Sequence, residues 1–174
     1  LNSLRKQDQE KLEIVLIDDS NLEKNFQLLK ILKNFDDLNI KYFKNKFNLG
    51  LAKSRNKGIK ISSGDYICFL DSDDEYLPKK TNTQYDLIKL KNYDLVYCKE
   101  IVLKNGNYYD RNCDRSFELN VLFKNQFINL NTLLINKKLI TNNGIYFNES
   151  EESRYGEDLE YLIKLRTKTD NFFF

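Results

Sequence analysis

Short apolar runs alternate with amphipathic stretches through the first hundred residues. Residues 12–17 (LEIVLI) are rich in β-branched side chains and end against Asp18-Asp19-Ser20, which predicts a buried strand. Residues 40–43, 66–70 (YICFL) and 94–98 (DLVYC) predict three more. The segments between them carry helical spacing. Residues 1–7 resemble the end of a helix. A second helix opens at a Ser20 or Asn21 cap and runs to about Asn34, with Leu28, Leu32 and Phe35 on one face. A third spans 51–61 after the Asn48-Leu49-Gly50 turn, and Gly64 closes it as a left-handed cap. The single proline, Pro78, opens a fourth at its first turn, and this one reaches about Leu90. Beyond Cys98 the pattern thins. Asn105-Gly106 predicts a hairpin turn in a polar stretch, residues 132–135 another strand, and Gly156-Glu157-Asp158 a helix carrying Leu159, Leu162, Ile163 and Arg166. Strands alternating with helices predict an α/β fold, a mostly parallel mixed sheet flanked by helices, in one domain over 1–174.

Composition narrows the chemistry. At 41% hydrophobic and 31% charged the chain is globular, and twelve Phe and eleven Tyr supply much of its core volume. A net charge of +2, evenly spread, gives no footprint for nucleic acid. No apolar run approaches the length of a membrane span, and none is expected to serve as a secretory leader. The three cysteines, Cys68, Cys98 and Cys113, match no zinc or redox spacing; Cys68 and Cys98 lie in apolar runs, as core thiols of a reducing compartment would. Histidine is absent altogether. That excludes Ser-His-Asp and Cys-His hydrolysis and His-ligated zinc. A general base must then be a carboxylate, Lys, Tyr or Cys, and a metal must be held by oxygen, which favours Mg²⁺ or Mn²⁺.

Two acidic clusters follow apolar strands directly: Asp18-Asp19, and Asp71 with Asp73 and Asp74. Ligands of open α/β sheets bind at the carboxyl ends of strands, and both clusters belong to that edge. Caps and solvated turns use the same residues. The D-x-D spacing of Asp71 and Asp73 lets two carboxylates approach one divalent ion, which could bridge a nucleotide diphosphate.

The order N-x-G-x-x-x-x-R-N-x-G (Asn48, Gly50, Arg55, Asn56, Gly58), then Gly64-Asp65-Tyr66-Ile67, then Phe69-Leu70-Asp71-Ser72-Asp73-Asp74 resembles the central block of family 2 glycosyltransferases with the GT-A fold. LEIVLIDDS resembles that family's second strand and D-D-G-S loop, and Glu157-Asp158 its late E-D pair. The resemblance implies a nucleotide-binding half over 1–98 and an acceptor half over 99–174. It implies that Asp18 and Asp19 hold base and ribose, that Gly50, Arg55 and Asp71 line the nucleotide site, that Asp73 with Asp71 holds the metal, and that Asp158 is the base of an inverting transfer. It implies a UDP-sugar donor, a glycan or lipid-linked acceptor, and work in the cytoplasm or at the inner membrane face, in surface polysaccharide synthesis. The family opens with an apolar strand and a P-x-Y-N-like loop that this sequence lacks, and the glycine of D-D-G-S is replaced by Asn21. The chain is therefore expected to start after that strand, leaving unpaired strand edges, and to end early at Phe172-Phe173-Phe174. Alternatives are a binding module without turnover, a Mg²⁺-dependent phosphoacceptor domain labelled at Asp71, and a sugar nucleotidyltransferase. Glu149, Glu151 and Glu152 read as a solvated loop, Lys79-Lys80 as an exposed turn, and Tyr108-Tyr109 as core or loop packing.

Overall fold

The computed structural model describes residues 1–21, 25–111, 117–122, 128–151 and 156–174; Cys113 and Glu152 lie outside them. The strands are β1 (Ile14–Asp18), β2 (Ile40–Lys44), β3 (Tyr66–Ile67), β4 (Leu95–Tyr97), β5 (Glu100–Lys104), β6 (Asn107–Arg111), β7 (Leu133–Asn136) and β8 (Phe172–Phe173). The helices are α1 (Asn2–Arg5), α2 (Phe26–Leu32), α3 (Leu51–Ile61), α4 (Lys80–Lys91), α5 (Leu119–Leu122), α6 (Lys137–Asn143) and α7 (Glu157–Arg166).

The strands form three sheets. β1 and β2 pair in parallel, Ile14 opposite Ile40. The main sheet has the order β3-β7-β4-β8; β3, β4 and β8 run one way and β7 runs against them. β5 and β6 form a separate hairpin. Alternation along the main sheet divides the core in two, as the period of two requires. Leu95, Tyr97, Leu133 and Ile135 face Ile140 of α6 and Tyr161, Leu162 and Leu165 of α7. Val96 and Leu134 face Ile88 of α4 on the other side. Phe147 stacks on Tyr161 with ring centroids 4.0 Å apart, and Phe69 meets both rings edge-on. The smaller sheet rests on a cluster of Leu4, Ile14, Leu38 and Tyr76.

Among the described residues β1 pairs only with β2, and β3 only with β7. A groove of about 1250 Å³ runs between them, lined by Val15, Leu16 and Ile17 on one side and Ile67, Cys68 and Phe69 on the other. α3 floors it: a Cβ at Gly58 would lie 3.9 Å from Ile17 Cγ1. No helix among the described residues is long and apolar enough to cross a membrane.

Several local expectations change. α2 is capped by Asn25, whose side chain accepts from the Leu28 amide at 3.0 Å, so neither Ser20 nor Asn21 opens it; none of its residues is buried. Gly64 is not a left-handed cap. α3 ends at Ser62 in extended backbone, and the amides of Ser63 and Gly64 donate instead to Glu13. Pro78 precedes α4 by two residues, because Lys79 adopts a left-handed conformation, φ 65°, that helix cannot continue through. Lys80 is not on an exposed turn: its ammonium lies 4.1 Å from the Tyr76 ring centroid, and burial lowers its pKa. Cys68 and Cys98 are half-buried. Tyr108 and Tyr109 stand exposed on the hairpin, which turns at Asn105-Gly106 with positive φ at both residues, as expected. Phe172 and Phe173 enter the sheet as β8.

Candidate active site

The loop after β1 is built around its two carboxylates. Asp19 accepts from the amides of Leu49 and Gly50 and from Asn45 Nδ2, each at 2.8 Å. Gly50, at φ 86°, turns the chain into α3 with no side chain of its own to cap the helix, and Asp19 supplies the anion its N-terminus favours. Burial pushes Asp19 up, but these donors outweigh it and hold it below its ordinary range. Asp18 is buried. It accepts from Tyr42 Oη at 2.8 Å and the Ser20 amide at 2.9 Å, with Lys44 Nζ 3.7 Å away. Burial acts upward on it too, and is again outweighed, leaving its pKa lowered. Asp19 and Gly50 line the groove; Asp18 does not.

Arg55 joins the second acidic cluster to the C-terminal half. Its position on α3 buries the side chain, 7% exposed, above the ring of Phe147. Nη2 donates to Asp71 Oδ1 at 2.9 Å, and Nη1 donates to Asp158 Oδ1 in a short ion pair. One guanidinium thus collects two carboxylates from distant loops, in the fork geometry that suits arginine. Its neighbour Asn56 fixes the loop before α7, donating to Phe147 O at 2.9 Å and Glu149 Oε1 at 2.8 Å and accepting from the Phe147 amide.

The other oxygen of Asp71 faces Asn131, whose Nδ2 lies 3.3 Å away; the Asp71 amide donates to Asn131 Oδ1 at 3.1 Å. Asn131 Nδ2 also binds Asp74 closely. Burial raises Asp74, with Asp73 and Asp71 adding repulsion against the help of Asn131. Asp73 makes no hydrogen bond or ion pair among the described residues, and it opens into the groove. Asp158 begins α7 one residue after Glu157. Burial raises its pKa; Arg55 acts downward, and Glu157 and Asp71 add to the rise.

The fold thus brings Asp71 and Asp158 onto Arg55, places Asp73 beside them, and holds Asp18 and Asp19 by internal hydrogen bonds in the neighbouring loop, with Asp19 on the groove wall. Asn131, Asn56 and Asn45 hold these loops and carried no sequence signal beyond Asn56 in its motif. No three acidic or thiol groups among the described residues converge as a complete metal site. The donor set still fits a partial one: an open carboxylate, Asp73, next to a second whose oxygens are already shared. A hard divalent ion keeps several waters and completes its shell from substrate phosphates.

These features are those of a glycosyltransferase with the GT-A fold. The chain belongs to glycosyl transferase family 2, whose family profile matches residues 1–150. Among relatives, it is 29% identical over 128 residues to a UDP-Glc:α-D-GlcNAc-diphosphoundecaprenol β-1,3-glucosyltransferase of Escherichia coli, covering 73% of this chain and 49% of that protein. The structure of Staphylococcus aureus TarS 1–349 in complex with UDP-GlcNAc superposes with a TM-score of 0.77 at 26% identity, over 99% of this chain and 50% of that one. A mannosyltransferase of Pyrobaculum calidifontis, in complex with GDP-Man and Mn²⁺, shares the fold at a TM-score of 0.70 and 14% identity, over 99% of this chain and 48% of that one. The chain spans between 15% and 55% of the length of the relatives it matches.

Proposed function

We propose that this chain is the donor-binding part of an inverting glycosyltransferase that moves a sugar from a nucleotide diphosphate, UDP in the first instance, to a glycan or lipid-linked hydroxyl. The observation that carries the proposal is the meeting of Asp71 and Asp158 on the Arg55 guanidinium, with Asp73 open beside them. Residues 1–98 supply the donor side, and residues 99–174 supply Asp158 and the acceptor side. The relatives' substrates, a UDP-sugar and a diphosphoundecaprenol acceptor among them, support the donor class and a role in surface polysaccharide synthesis at the cytoplasmic face of the membrane.

The reaction needs one displacement. The acceptor oxygen forms its bond to the anomeric carbon as the bond from that carbon to the diphosphate oxygen breaks. The electron pair leaves with the nucleoside diphosphate, and the acceptor proton goes to the Asp158 carboxylate. Arg55 keeps that carboxylate ionised and oriented while burial acts against it. Mn²⁺ or Mg²⁺ would be held by Asp73, with Asp71 beside it, and would offset the charge that develops on the departing diphosphate. Asp19 and Gly50 keep the α3 entry turned toward the groove, where the nucleotide is expected.

Titrating UDP into the chain by calorimetry, with and without Mn²⁺, tests this reading. Binding should require Mn²⁺ and should vanish in Asp73→Asn. A chain that melts cooperatively and binds UDP in neither condition would overturn the UDP assignment.

A further inference from the structure

The Asp71 carboxylate is engaged twice before any ligand arrives. Arg55 takes Oδ1 and Asn131 takes Oδ2, at 2.9 Å and 3.3 Å. Asp74 is drawn onto the same Asn131 amide, and Asp158 onto the same guanidinium. Of the four carboxylates around this point, Asp73 alone makes no hydrogen bond or ion pair among the described residues. Arg55 is buried beneath its two half-exposed anions, and Asn131 is buried too, so neither is a loose surface group that a cation displaces cheaply. A buried guanidinium that loses its anions is left as an unpaired charge, which is costly.

We infer that Arg55 acts as the resident cation of the site, so that the D-x-D takes up a divalent ion as its complex with a nucleoside diphosphate and not as the free ion. This rests on the reading under "Proposed function". A metal ion alone meets one open carboxylate and must keep the rest of its shell as water, a weak site. The diphosphate brings two further anionic oxygens, and the complex then needs only what Asp73 offers. Arg55 meanwhile keeps Oδ1 of both Asp71 and Asp158 engaged, which holds Asp158 in place as a base. Arg55 is in these terms a positioning residue: it holds carboxylates and need not touch the donor.

Titrating Mn²⁺ against the chain by electron paramagnetic resonance reads this directly, because bound Mn²⁺ is lost from the six-line signal of the free ion. The native chain should leave the signal of Mn²⁺ alone unchanged and should deplete it once UDP is added. Arg55→Met frees Asp71 and Asp158 together and should bind Mn²⁺ without UDP, with affinity raised about tenfold or more, since each added carboxylate ligand strengthens a hard-ion site. Arg55→Met combined with Asp71→Asn should lose that gain, which separates a new ligand from a general increase in negative charge. If Arg55→Met does not melt cooperatively, Asn131→Ala carries the test: it frees one oxygen of Asp71 and should give a smaller gain of the same kind. Native protein that binds Mn²⁺ alone as tightly as the variant would overturn the inference, as would a folded variant with no gain. Failure of UDP to bind in any form would instead strike the donor reading, because the arms with Mn²⁺ alone do not depend on it.

Discussion

The two sheets that flank the groove are stabilised in different ways. In the main sheet, β4 and β7 are covered on both faces, and Leu95, Leu133 and Ile135 are fully buried. In the smaller sheet the inner edge of β1 faces the groove, α2 buries nothing, and Phe26 and Ile31 stand exposed. The main sheet is a packed core of the kind that resists any loss of volume. The smaller sheet is tied down by polar clips. Glu13 receives the amides of Ser63 and Gly64 and an ion pair from Lys41 at 2.5 Å, and Gln7 donates to Leu77 O at 3.0 Å. The difference teaches where stability and ligand response separate: one sheet holds the chain together, and the other forms one wall of the groove.

Four variants measure that separation by thermal or denaturant unfolding. Leu162→Ala empties a fully buried site against Tyr97 and Ile135's face and should cost about 3 kcal/mol, whereas Val15→Ala on the groove wall should cost about 1 kcal/mol or less. Equal losses would break the comparison. Glu13→Gln should come next, at about 2 kcal/mol near neutral pH, through loss of the ion pair and weaker acceptance from two amides. Its sign with pH follows from its environment. Burial acts upward on Glu13, but Lys41 and Ser63 outweigh it and bring its pKa from 4.5 to about 2. A depressed carboxylate contributes fully above its unfolded pKa and loses that contribution as pH falls through the folded one. Native stability should therefore drop between about pH 5 and pH 2, and the Glu13→Gln curve should be flatter there. The last effect has the opposite sign. Tyr161 Oη is buried without a hydrogen-bond partner among the described residues, and Tyr161→Phe keeps the ring stacked on Phe147, so it should stabilise by about 1 kcal/mol.

Much of this was legible in the residues. α3 spans the stretch its spacing gives, because Gly50 supplies the positive φ of the entry turn and the helical pattern is strong. Glu157-Asp158 open a helix, and Asn105-Gly106 turn a hairpin, for the local reasons their sequence states. What stayed hidden is long-range pairing. Asn131 reaches Asp71 across 60 positions and Arg55 reaches Asp158 across 103, and no periodicity marks such partners. Gly64 misled because a glycine near a helix end is a cap only when its φ is positive; here Glu13, 51 positions away, binds the amide instead. The internal donors of the two DD carboxylates, Tyr42 Oη for Asp18 and the Gly50 amide for Asp19, were likewise not marked in the sequence.

The unpaired edges beside the groove have a consequence for handling the protein in solution. β2, at the outside of its sheet, carries Lys41 and Lys44, the kind of charge that discourages another chain from adding on. The inner edges of β1 and β3 present Val15, Ile17 and Ile67 with no such guard. Intermolecular strand pairing at high concentration should therefore begin inside the cleft and not at the periphery, and a cleft filled by the proposed nucleotide should slow it.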